Sequence, residues 1–243
     1  MITSYHRPRT LDEALTLLAR PDTVALAGGT TIVAERSGTP VTAIDLQALP
    51  LDRITTDDVG VRIGAMARLQ DVADSEAVPD LIGELATREA PRSLRNAATL
   101  GGTVAVADPE SELVTALLAH AASVAIARPD GSDTVPLADL FADSRTLDGV
   151  LITEILVPAG GRSAAARTGR TPSDRPIVAA VAHRGPAGTR VAIAGVADRP
   201  VLVDPDDLGS LDPPSDFRGS AAYRRRLAAV LVERVLAALG VAR

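Results

Sequence analysis

The sequence predicts an α+β fold, a mixed α/β arrangement in two parts, and three observations carry that reading. Runs with helical spacing and runs with strand character alternate through residues 1–158. A stretch dense in glycine, proline and arginine interrupts them at 159–176. Two apolar runs around a glycine-bounded turn and one last helix then fill residues 177–243, a small α+β domain.

The elements follow in order. Thr10 has the type and place of a helix N-cap, and Glu13, three residues on, gives capping-box spacing. Leu11, Ala14, Leu15 and Leu18 then share one helical face. Val24 to Ala27 is an apolar run ending in Gly28-Gly29, a buried strand entering a tight turn. Residues 41–46 and 61–65 have strand character, and residues 77–90 are helical. Residues 110–121 carry Leu113, Val114, Leu117 and Leu118 at helical spacing, while 124–127 and 151–157 are β-rich. Residues 158–176 hold three prolines, three glycines and the arginines 162, 167, 170 and 175, the composition of a linker or mobile loop. Residues 177–183 and 190–196 flank Gly185-Pro186-Ala187-Gly188, a hairpin signature. Residues 198–219, rich in Asp and Pro, read as loop. Ser220 caps a last helix whose apolar face is Leu227, Val230, Leu231, Val235 and Ala238, with Arg224 to Arg226 on its solvated side.

Composition excludes several functions. All 25 basic residues are arginine, so neither a Schiff base nor a phosphate-loop lysine is available. Cysteine is absent, which removes disulfides, thiolate nucleophiles and iron–sulfur ligands from this chain. The histidines, His6, His120 and His183, have no partner at metal-ligand spacing; they read as structural, and no metal is expected. The aromatics are Tyr5, Phe141, Phe217 and Tyr223, too few for base-stacking platforms. Residues 1–160 hold 12 arginines against 23 acids, or −11, which argues against nucleic acid; residues 161–243 hold 13 against 8, or +5. The longest uncharged run, residues 113–127, is shorter than the roughly 20 residues that cross a bilayer. No membrane insertion is expected, and the start lacks a secretory signal, so the expected location is cytoplasmic.

Two glycine pairs, each followed by threonine, are the candidate chemistry: Ala25 to Thr31 (ALAGGTT) and Thr99 to Thr103 (TLGGT). A glycine pair lets backbone N–H groups approach an anion, and successive N–H groups form a concave anion site. Each pair alone also reads as an ordinary turn, and neither has the three spaced glycines of the dinucleotide fingerprint.

At these motifs the sequence resembles the FAD-binding medium subunit, or middle domain, of the xanthine dehydrogenase and aerobic carbon monoxide dehydrogenase family of molybdenum hydroxylases. YHRPRTLDEALTLL (5–18), ALAGGTTI (25–32), RIGAMARLQDV (62–72), RSLRNAATLGGTVAVADPESEL (92–113), GVLITEILVP (149–158) and SDFRGSAAYRRRLAAVLVERVL (215–236) stand in the family's order. The resemblance implies a two-part PCMH-type FAD-binding domain and a shortened carbon-monoxide-dehydrogenase-flavoprotein-like C-terminal domain, an antiparallel sheet plus helix. It implies that Leu26, Ala27, Gly28, Gly29, Thr30 and Thr31 hold the FAD pyrophosphate, and that Thr99, Gly101, Gly102 and Thr103 hold its other side and the ribityl chain. It further implies a cofactor hydroxyl at Glu112, the isoalloxazine ring near Ile152, and Arg167 or Arg170 reaching back to the flavin. Thr103 and Val106 stand where the family pattern has Asn, and Glu112 where it has Asp. The implied function is an electron-transfer subunit partnered by an iron–sulfur subunit and a molybdenum-cofactor subunit. A free-standing FAD-dependent oxidase or dehydrogenase, or an interaction protein that has lost FAD, are the alternatives.

Overall fold

The computed structural model describes residues 1–32, 34, 39–142, 147, 149–171 and 174–241. Strands β1 (Ile2–His6), β2 (Thr23–Leu26) and β3 (Val41–Asp45) form a parallel sheet in the order β1-β3-β2. Helix α1 (Leu11–Leu18) links β1 to β2. Thr10 Oγ1 caps it by accepting from Glu13 N at 3.2 Å, while the Glu13 carboxylate reaches back to the Arg9 N–H at 2.9 Å. Ala14, Leu15 and Leu17 are buried against Ile44 and Leu46, so the helix covers this sheet.

The second sheet is antiparallel. It comprises β4 (Ile54–Thr56), β5 (Gly60–Gly64), β6 (Ser123–Arg128), β7 (Gly131–Pro136) and β8 (Leu151–Pro158), in the order β4-β5-β8-β6-β7. Between β5 and β6 the chain forms α2 (Leu69–Asp74), α3 (Asp80–Glu89), α4 (Arg92–Arg95), α5 (Leu100–Val106) and α6 (Glu112–Ala119); α7 (Leu137–Ala142) follows β7. Ile63, Ile126 and Ile155 from the sheet meet Leu69, Leu85, Leu100 and Leu117 from the helices in one hydrophobic core.

The third sheet, β12-β11-β10-β9, is antiparallel and built from β9 (Arg162–Thr168), β10 (Val178–Gly185), β11 (Gly188–Ala194) and β12 (Val201–Val203). Helix α8 (Ala221–Ala238) packs on one face and α6 on the other. Val178, Ala180 and Ala182 therefore join α8 in one cluster, while Val181 and Ala192 belong to the core beneath α6. A sheet buried on both faces explains the near-continuous apolar runs of β10 and β11. The hairpin turns at Pro186-Ala187 as expected, with Gly185 opposite Gly188.

Three expectations need correction. Residues 159–176 are not a linker throughout, because 162–168 form β9, paired with β10 from Thr168–Val178 to Arg162–Arg184. An edge strand tolerates charged side chains, so arginines do not exclude pairing there. The 198–219 segment holds β12 and a short 3₁₀ turn at Leu208–Ser210. Finally, the buried face of α8 is Arg224, Ala228, Leu231, Val232, Val235 and Leu236, while Val230 is exposed. Arg224 lies inside instead of on the solvated side. Among the described residues no helix is long and apolar enough to cross a membrane.

Candidate functional site

The carboxyl end of β2 opens into the first glycine loop, where a ligand site is expected in an open parallel sheet. Gly29 has φ +70°, a left-handed conformation that a side chain disfavours. No hydrogen bond inside the described chain engages the backbone N–H groups of Gly28, Gly29, Thr30 or Thr31. Half-buried amide donors without an acceptor among the described residues are open to an external one. This arrangement fits a diphosphate.

The second loop differs. Thr99 is the N-cap of α5 and its Oγ1 accepts from Gly102 N at 3.1 Å. Leu100 N donates to Ala67 O and Gly101 N to Ala65 O, each at 2.9 Å. Thr103 N and Thr103 Oγ1 both donate to Thr99 O, each at 3.0 Å. The donors expected to face a ligand are therefore engaged within the fold, because α5 starts against the turn at residues 65–67. What the second loop offers is space. A Cβ on Gly102 would meet only Thr99 Oγ1 at 3.1 Å and Ala27 Cβ at 4.0 Å. Gly101 has no such freedom, since a Cβ there would lie 2.6 Å from that of Ala65.

Both loops line one open cleft of about 280 Å³. Ala27 to Thr31 form one wall, and Thr99, Gly102 and Thr103 the other. The exposed side chains of Leu94 and Val106 form an apolar lip. A cavity of about 200 Å³ shares Ala25, Ala27, Gly102 and Ala105 with the cleft and is walled by Met66, Gly101 and Ile152. It is apolar, as a flat ring system requires. Leu26 lines neither space.

The charged residues are placed otherwise than expected. Glu112, buried at the first turn of α6, has Oε2 3.1 Å from Arg167 Nε. Burial raises its pKa above the ordinary carboxylate range, and Arg167 partly offsets this. Neither residue lines the cleft, and Arg170 is exposed and lines neither space. Among the described residues, the cation on the cleft wall is Arg175, beside Asp108 and Glu89. Arg175 Nη2 is 3.0 Å from Asp108 Oδ1 and 3.6 Å from Glu89 Oε1. Burial pushes the Glu89 carboxyl up, with Arg175 opposing. The sequence flagged Arg175 only as one of four arginines, and nothing in its neighbours singled out Glu89.

His120 and His183 form a buried cluster away from the cleft. Ser163 Oγ bridges His120 Nε2 at 2.8 Å and His183 Nδ1 at 2.9 Å, and the rings lie tilted by 31° with centroids 4.2 Å apart. His120 Nδ1 also pairs with Ala116 O at 2.8 Å. Both histidines thus tie β9 and β10 to the end of α6, a structural role.

Comparison with known proteins agrees with this geometry. The family described as FAD binding domain in molybdopterin dehydrogenase matches residues 1–160. A protein of Escherichia coli (strain K12), uncharacterized protein YgfM, is 32% identical over 250 residues, covering 96% of this chain and 94% of that protein. The glyceraldehyde dehydrogenase medium chain of Sulfolobus acidocaldarius is 30% identical, covering 94% of this chain and 95% of its own. A solved structure of carbon monoxide dehydrogenase from Hydrogenophaga pseudoflava superposes with a TM-score of 0.89 at 26% identity, over 98% of this chain and 96% of that one. With its glycine loops facing one cleft and the family match spanning the first two sheets, the chain belongs to the FAD-binding-domain family of molybdopterin dehydrogenases.

Proposed function

We propose that this protein is the FAD-carrying electron-transfer subunit of a molybdenum hydroxylase-type dehydrogenase. It would pass electrons from iron–sulfur clusters on a partner chain to an external acceptor. The observation that carries this reading is the set of N–H groups from Gly28 to Thr31, without acceptors among the described residues, at the mouth of a cleft lined by both glycine loops. Those amides would hold the diphosphate. Gly102 would let the cofactor lie against α5, and Ile152 with Met66 would border the ring in the apolar cavity. Arg175 supplies positive charge on the cleft wall.

When bound, FAD accepts electrons one or two at a time, which joins one-electron clusters to two-electron acceptors. The chain's own residues bind, orient and shield that group. The chain has no cysteine, so thiolate-ligated clusters belong to a partner. Homologous proteins are named as medium chains of dehydrogenases, and the similar carbon monoxide dehydrogenase structure is named for a molybdenum cofactor, which supports an iron–sulfur subunit and a molybdenum-cofactor subunit as the partners.

The test is a visible spectrum of the purified chain, followed by an artificial reductant and then a small organic substrate. Flavin bands that bleach with the reductant but not with the substrate support the proposal. Absence of flavin refutes the cofactor assignment. Turnover of an organic substrate by this chain alone would instead establish a free-standing flavoenzyme.

A further inference from the structure

We infer that Arg218, in the turn before α8, is a positioning residue for the cofactor cleft and acts through Arg175. This rests on the FAD-binding reading above. The first loop presents neutral amides, and the second loop's donors are engaged inside the fold. Among the described residues lining the cleft, Arg175 is the one cation, opposed by Glu89 and Asp108. An anionic diphosphate therefore depends on where that guanidinium is held.

Arg218 holds it from two sides. Its Nη2 donates to the backbone oxygens of Arg175 at 2.6 Å and Pro176 at 3.1 Å. Its Nη1 donates to Glu110 Oε1, and the other oxygen of that carboxylate lies 3.6 Å from Arg175 Nε. One side chain thus fixes both the backbone and a charge partner of Arg175. Arg218 is fixed in turn. Asp216 Oδ1 accepts from Arg218 N at 2.8 Å and Gly219 N at 3.0 Å, and Asp216 Oδ2 accepts from the buried Arg224 Nη2 at 2.6 Å. The Gly195 N–H donates to Pro109 O at 2.7 Å, tying the same 108–111 segment to the third sheet. The C-terminal domain therefore reaches the cleft through polar contacts. The Arg175 side chain is 46% exposed, so without the clamp it would regain rotamer freedom that an anion would have to quench.

The experiment uses full-length chain stripped of FAD and compares Arg175→Ala, Arg218→Ala and the double variant. FAD affinity is read by flavin fluorescence at several salt concentrations. Arg175→Ala should weaken FAD about tenfold, the worth of one charged hydrogen bond. Arg218→Ala should weaken it by about threefold to tenfold, and the double variant no more than Arg175→Ala alone, since the clamp acts through Arg175. Both singles should lower the salt dependence of affinity, Arg218→Ala by no more than Arg175→Ala, a change that loss of fold stability does not produce. If Arg218→Ala fails to fold, Glu110→Gln takes its place in the same cycle. Multiplicative losses in the double variant, or wild-type affinity in Arg218→Ala, overturn the inference. A wild-type chain that takes up no FAD refutes the functional reading instead, so the two failures are distinguishable.

Discussion

The backbone of Gly28 lies so close to the Ala97 carbonyl that a Cβ added to Gly28 would stand 2.1 Å from that oxygen. The first loop therefore leans on the chain that leads into the second, and the two glycine motifs form one interlocked unit. Gly28→Ala should force them apart, at a cost of about 1–3 kcal/mol for overpacking. Both the melting temperature and the FAD content of the purified chain should fall. A variant that melts like wild type would show that the contact yields.

Gly102→Ala separates cofactor contact from fold stability. The new methyl would point into the cleft and meet little besides Thr99 Oγ1. Within α5, alanine is favoured over glycine by about 1 kcal/mol. The melting temperature should hold or rise while FAD affinity drops. Titration of the stripped chain with FAD checks this, and unchanged affinity would place the cofactor away from Gly102.

Much of this was legible in the sequence, and the failures have physical causes. Thr10, Ser220 and the Gly185–Gly188 turn act locally, through caps and dihedrals, and stand where the spacing put them. Both glycine loops reached the same cleft. Strand β9 was hidden because its apolar content is alanine, which carries little β signal between arginines. Arg224 was hidden because a guanidinium is read as exposed unless its partners are known, and those partners are the backbone oxygens of Ile177 and Gly195, distant in the chain. That Arg175 lines the cleft while Arg167 does not follows from the direction of β9, which sends Arg167 to Glu112. The internal hydrogen bonds of the second loop depend on the turn at 65–67, which no local pattern announces.

Glu89 should show its environment in a pH-dependent stability difference. Its folded pKa is raised by burial, so its favourable contribution is present at low pH and is lost as pH rises through the folded value. Above that value the ionised carboxylate sits where the neutral form is preferred. Glu89→Gln keeps an acceptor for Ser111 Oγ, now 3.0 Å from Glu89 Oε2, and removes the charge. The variant should melt higher than wild type at pH 8, by about 2–4 °C for each kcal/mol relieved. The gap should close near pH 4, and a gap equal at both pH values would contradict the assignment.

Arg224 tests whether the C-terminal domain hangs on one guanidinium. The residue is 2% exposed, and its Nη1 donates to Ile177 O at 2.8 Å and Gly195 O at 2.9 Å. Arg224→Ala leaves two buried carbonyls without donors and should cost about 3–5 kcal/mol. A lysine ammonium could serve the two carbonyls but not also the Asp216 carboxylate that Nη2 reaches at 2.6 Å, and should rescue only part. Arg226 is exposed, and Arg226→Ala should stay within about 0.5 kcal/mol of wild type. Urea unfolding of the three variants checks the order; equal losses at 224 and 226 would refute it.

The His120–Ser163–His183 bridge should make the fold acid-sensitive in a defined window. His120 Nδ1 pairs with the Ala116 carbonyl, so that nitrogen carries the proton and Nε2 accepts from Ser163 Oγ. Ser163 then accepts from His183 Nδ1. Burial lowers the His120 pKa to about 4, and burial lowers that of His183 too. A depressed folded value means that the stability is present above the unfolded pKa of about 6.5 and is lost as pH falls toward the folded value. For His120 the loss amounts to roughly 3 kcal/mol across that interval. Protonating Nε2 would also take away the acceptor of the Ser163 hydroxyl proton and weaken the tie between β9 and α6. Stability from urea unfolding should therefore decline between pH 6.5 and pH 4 in wild type, and His120→Gln should flatten that decline. Proton-detected titration of the imidazoles should find His120 neutral until pH nears 4. A His120 that titrates near 6.5 would mean that the ring is solvated and that the bridge does not hold the edge strand in place.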